Sequence, residues 1–235
     1  MVIESRQRPS RIQAILLILF ALCPLPCIAF GLYYYHNAWL TIILFHIVLA
    51  SLPLAYKVLF TDAHLLDYTA GELKDPLREL LYGLCASTAI VLFVMGPVTF
   101  VFLKYKPFFL WIMGLEGMVC NDFAMDCENI LNPLLFAVYF SIVNPGIEEC
   151  FWRVFLVKSL PADYKWIISA LYANYHFFVC IRFVGIYQSI LGFTVTFAVG
   201  ILMQELKERY GLLTVVCGHM AFDLCAMMVW GLILY

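Results

Sequence analysis

Seven stretches of this 235-residue chain carry no Asp, Glu, Lys or Arg, or almost none: 13 to 35, 38 to 56, 81 to 103, 130 to 147, 166 to 181, 183 to 204, and 210 to 235, the last broken only by Asp223. A helix needs about 20 apolar residues to cross a hydrocarbon core of ~30 Å. A backbone within lipid must satisfy its own polar groups, which leaves helices or closed barrels. Segments this long predict helices. The composition agrees, with 64% hydrophobic and 13% charged residues, against about half and about a quarter in soluble domains. The expected fold class is therefore all-α: a polytopic membrane helical bundle of about seven transmembrane helices. The chain reads as one membrane-embedded domain over 1–235.

Arg6, Arg8 and Arg11 precede the first stretch as they would a signal peptide. Its 23 uncharged residues exceed a typical signal core, however, and Pro24 and Pro26 interrupt it, so a kinked anchor is expected. The run from Phe108 to Val119 is too short to cross and reads as an interfacial piece. Orientation follows from Lys and Arg. With the N-terminus cytoplasmic, Arg6, Arg8, Arg11, Lys57, Lys74, Arg78, Lys158, Lys165, Lys207 and Arg209 lie inside, and only Lys104, Lys106 and Arg182 outside.

A net charge of -2 offers no basic surface for a phosphate backbone, so nucleic acid is not an expected partner. Most of the nine cysteines lie in apolar runs and read as packing residues. Cys120 and Cys127 flank a polar stretch and are the one pair that an oxidising compartment could bridge. The oligomeric state is open.

Ionisable groups inside spans must be paired, solvated or retained for a task. Glu148, Glu149 and Arg153 follow Asn144, Pro145 and Gly146 in the fourth stretch. Glu149 and Arg153 stand four apart, in the favourable order for mutual neutralisation. Glu148 is rotated by about 100° from Glu149 and lacks a local cation. Tyr172 with His176, and His219 with Asp223, repeat the four-residue spacing on two further helices. Counted from Lys158, Lys165 and Arg209, the residues Glu148, His176 and His219 all lie ten or eleven positions deep. That is about 15 Å, near the bilayer midplane. His46 stands alone in the second stretch and reads as structural or pore-facing.

Glu, His, His and Asp converging in an apolar bundle make a general-base site. A carboxylate with an imidazole beside it can activate water, and a second imidazole can steady a developing oxyanion. Zinc-protease, serine-hydrolase and phosphate-loop motifs do not occur. A metal held by Glu148, His176 and His219 is chemically possible but ranks below a metal-free site. No cofactor is expected.

The series Glu148-Glu149-x-x-x-Arg153, Tyr172-x-x-x-His176 and His219-x-x-x-Asp223 resembles the three motifs of the CAAX prenyl protease and bacteriocin-processing family, intramembrane glutamic endopeptidases. The resemblance spans roughly residues 130 to 224, placing the motif-bearing core at about 130–235. It implies that Glu148 and His176 activate water, that His219 and Asp223 form the oxyanion site, and that Glu149, Arg153 and Tyr172 support them. It also implies a membrane-associated peptide or prenylated protein as substrate, and a bacterial inner membrane or endoplasmic reticulum as location. The chain departs from the pattern at Asp223, where Asn is usual, at Val154, where Gly is common, and at Tyr172, where Phe is commoner. Two other readings stay open: a proton-coupled transporter using the same groups, and a non-catalytic relative that binds a membrane partner.

Overall fold

The computed structural model describes residues 9–60, 75–97, 100, 104–106 and 131–234. The described residues form seven long helices: α1 (Arg11–Tyr34), α2 (Ala38–Phe60), α3 (Pro76–Phe93), α4 (Leu131–Ser159), α5 (Lys165–Phe183), α6 (Ile186–Tyr210) and α7 (Leu212–Leu234). They correspond in order to the seven uncharged stretches. No strand occurs among the described residues, and the protein is an all-α polytopic membrane bundle. Five helices, α1 to α4 and α6, are long and apolar enough to cross a membrane on their own, and α7 contributes a shorter apolar helix at Leu212–Met228. Helix α5 is not among the five, because its Asn, His and charged side chains lower its hydropathy. The interfacial piece expected over Phe108 to Val119 and the pair Cys120 and Cys127 lie outside the described residues.

Local chemistry accounts for the helix ends. Ser10 and Gln13 form a reciprocal capping box at the start of α1, with bonds of 2.8 and 3.2 Å. Asp75 caps α3 ahead of Pro76, whose missing N–H needs no partner in the first turn. In α1 the regular hydrogen-bonding pattern stops at Leu22 and restarts at Pro24, next to the two prolines.

Lipid supplies no hydrophobic drive for helices to associate, so close approach and polar contacts must do it. The core stripe of α2 shows the helical period: Ala38, Ile42, Phe45, Leu49 and Tyr56 face α1, α4 and α5, while Ile43, Ile47 and Leu54 face outward. Helix α5 packs along α6, and α7 lies between α3 and α4. Gly83 permits the α3–α7 contact, since a Cβ there would fall 2.8 Å from Cys217 Cβ. Where α6 ends, Gly211 turns with a φ of 96° against the Glu79 carboxylate, which accepts the Leu213 N–H at 3.2 Å. An acid on α3 thereby satisfies an open donor at the start of α7.

Candidate active site

Helix α4 changes pitch at the acidic pair. It is α-helical to Glu149 and π-helical over Cys150–Leu156, a form that commonly marks functional sites. Pro145, four residues before Glu149, already removes one backbone donor. Phe151 through Leu156 are all buried, so this stretch is surrounded by protein on every side. Glu148, Glu149 and Arg153 are 3%, 0% and 0% exposed. The expected ion pair forms, with Arg153 Nε 3.3 Å from Glu149 Oε2. The Arg153 guanidinium also lies 4.6 Å from the centre of the Tyr172 ring, a contact of about 2 kcal/mol when desolvated.

Glu149 is not neutralised by Arg153 alone, as the helical spacing implied. Its other oxygen, Oε1, accepts from His219 Nδ1 at 2.8 Å, across from α7 to α4. The opposite ring nitrogen, Nε2, lies 3.6 Å from Asp223 Oδ1, beyond hydrogen-bond length. Asp223 Oδ2 accepts instead from Asn144 Nδ2 at 3.2 Å. His219 is thus gripped at one nitrogen and loosely faced by a second carboxylate at the other.

Glu148 turns away from this pair, toward α5. The Tyr175 hydroxyl donates to Glu148 Oε2 and lies 3.2 Å from His176 Nε2. His176 Nδ1 donates to the Tyr172 carbonyl at 2.9 Å. A carbonyl only accepts, so the neutral ring carries its proton on Nδ1 and presents a lone pair at Nε2. The phenol has one proton, and two acceptors face it. Tyr172 stands between the imidazoles, with its ring centre 4.6 Å from that of His176 and 6.4 Å from that of His219.

All seven residues singled out in the sequence, Glu148, Glu149, Arg153, Tyr172, His176, His219 and Asp223, meet in one cluster, with His176 and Asp223 partly exposed and the other five buried. Tyr175 was missed. It sits three residues after Tyr172, so the one-face spacing of three and four would have included it. Asn144, which precedes the acidic pair on α4, is itself a bonding member of the cluster. No group of three or more His, Cys, Asp or Glu among the described residues is arranged to hold a metal ion.

No curated protein and no solved structure matches the chain. A family match does cover the cluster: residues 130–225 match the family model described as type II CAAX prenyl endopeptidase Rce1-like. That stretch contains all three motifs and every side chain placed around Glu148 and His219 above. The match agrees with the resemblance carried by the three motifs and is a similarity over residues 130–225 of the 235.

Proposed function

We propose that this protein is a glutamic endopeptidase that hydrolyses a membrane-associated or prenylated peptide with water activated by Glu148 and His176. The observation that carries the reading is the Tyr175 hydroxyl, which reaches both Glu148 Oε2 and His176 Nε2. The carboxylate and the imidazole are therefore one oxygen apart, the spacing at which they can share a water.

Water held beside the Tyr175 hydroxyl, against the Glu148 carboxylate and His176 Nε2, gives a proton to that pair as its oxygen bonds to the scissile carbonyl carbon. The carbonyl oxygen becomes an oxyanion. His219 gives its Nδ1 proton to Glu149, so it is the doubly protonated imidazolium, between the Glu149 and Asp223 carboxylates, whose Nε2 N–H donates to that oxyanion. Glu149 orients His219 through Nδ1, as a buried carboxylate orients the imidazole of a hydrolytic triad. When the C–N bond breaks, the proton passes to the leaving nitrogen, which regenerates the site. Arg153 and Tyr172 hold Glu149 and the two imidazoles in place.

The test is cleavage by purified protein in detergent of a panel of prenylated, unprenylated and transmembrane peptides. Wild type is expected to cleave at least one prenylated or membrane-inserted peptide, and Glu148→Gln is expected to lose that activity while keeping the wild-type melting temperature. Cleavage that survives Glu148→Gln would overturn the mechanism, and cleavage lost on chelation would assign the step to a bound metal instead.

A further inference from the structure

We propose that His46 is a positioning residue for His219, acting through Asn144 and Asp223; the inference deepens the protease reading and rests on it. His46 lies on α2, outside the residues that match the family, and is 6% exposed. Its Nε2 is 3.0 Å from Asn144 Oδ1 and its Nδ1 is 2.8 Å from the Tyr139 hydroxyl.

The proton positions in this chain follow from which atoms can donate. Asn144 Oδ1 can only accept, so His46 Nε2 carries the proton. In the neutral ring Nδ1 is then the acceptor, and Tyr139 donates to it. With Asn144 Oδ1 engaged by His46, the amide must turn Nδ2 toward Asp223 Oδ2, where the bond measures 3.2 Å. Turned over, the amide would set its N–H groups against the His46 N–H and its oxygen against a carboxylate. Donation from His46 and acceptance by Asp223 require the same orientation, and the bond from His46 holds the amide in it. Asp223 in turn faces His219 Nε2, the nitrogen assigned to the oxyanion.

A role in joining helices does not account for these bonds. Helices α2 and α4 are already tied by Trp39 Nε1 donating to Asn132 Oδ1 at 2.7 Å, and by Trp39 packing on Phe136 and Tyr139. An apolar side chain of similar size at position 46 would fill the space. What it could not do is donate to Asn144.

The test compares His46→Leu with His46→Gln in the full-length protein. A glutamine amide can replace the Nε2 donor; leucine cannot. On a peptide that wild type cleaves, His46→Leu is expected to lower kcat by about 10-fold, the order set by losing one hydrogen bond in the chain that positions His219. KM is expected to stay unchanged, and His46→Gln to recover most of the rate. In protein labelled with 15N-histidine, the His219 ring signals, assigned by their loss in His219→Gln, should move in His46→Leu and return in His46→Gln. Equal impairment of both variants, or unmoved His219 signals in His46→Leu, would overturn the proposal. Were wild type to cleave nothing, the protease reading would fall by itself and the ring signals would still decide the link. Should His46→Leu not fold, Tyr139→Phe removes the hydroxyl that fixes the His46 proton, and is expected to move the His219 signals in the same direction; unmoved signals would count against the proposal.

Discussion

Glu149 Oε1 stands 2.8 Å from His219 Nδ1, while Glu149 Oε2 stands 3.3 Å from Arg153 Nε. One fully buried carboxylate therefore serves two partners: a cation four residues away on its own helix and an imidazole 70 residues on. Its first contact is structural and its second belongs to the site, which separates the two adjacent acids by what their substitution should do.

For Glu149→Gln the expected outcome is unfolding or strong destabilisation. Removing one partner of a buried ion pair leaves the other uncompensated, at about 3–5 kcal/mol. Thermal melting in detergent checks it, with Glu148→Gln as the reference expected to melt near wild type. A Glu149→Gln protein as stable as wild type would mean that Arg153 finds another partner.

Tyr175→Phe deletes a single oxygen between Glu148 and His176. The ring packs in place, stacked on Trp152 at 5.9 Å, so the protein should still fold, with a melting temperature lowered by no more than the loss of that one bond. A hydrogen bond to a charged group contributes about 1.5–3 kcal/mol, so kcat is expected to fall by roughly 10 to 100-fold. Steady-state kinetics on a cleaved peptide decide this, and an unchanged kcat would remove Tyr175 from the mechanism.

Asp223→Asn should be tolerated better than Asp223→Ala. An asparagine at 223 can accept from Asn144 with its oxygen and turn its amide nitrogen toward the oxyanion, so kcat is expected to stay within about tenfold of wild type, or ~1.4 kcal/mol. Asp223→Ala leaves Asn144 Nδ2 without its acceptor and should lose more. Ranking the two variants by kcat at equal stability tests the idea; alanine outperforming asparagine would contradict it.

Gly211→Ala tests the packing of α3 against α7. The backbone there has a φ of 96°, and a Cβ would run into the Glu79 carboxylate. A strained backbone of this kind costs on the order of 1–3 kcal/mol. The melting temperature should drop, with kcat of the remaining folded protein unchanged.

The spans were legible because a bilayer imposes one requirement, about 20 apolar residues per crossing, and that requirement is written in consecutive residues. Helix α5 shows the margin of that rule. Its Asn174 and His176 lower its apolarity, and His176 belongs to the site, yet its lack of charge between Lys165 and Arg182 still marked it as a helix. The motif residues were legible for a related reason: ionisable groups are rare in such segments, so each one stands out.

Partnership was not legible. Four-residue spacing identified Glu149 with Arg153 correctly, because both lie on one helix. It could not assign Glu149 to His219, or Glu148 to Tyr175, because those bonds cross between helices. His46 carried a usable signal, standing eleven positions before Lys57 and so at the same depth as the other buried groups, but depth alone does not choose a neighbour. Order along the chain thus determined which segments form the apolar helices and which ionisable residues lie within them. Only the packing of α2, α4, α5 and α7 decided which donor meets which acceptor, because rotation and lateral placement of helices depend on contacts between residues far apart in the chain.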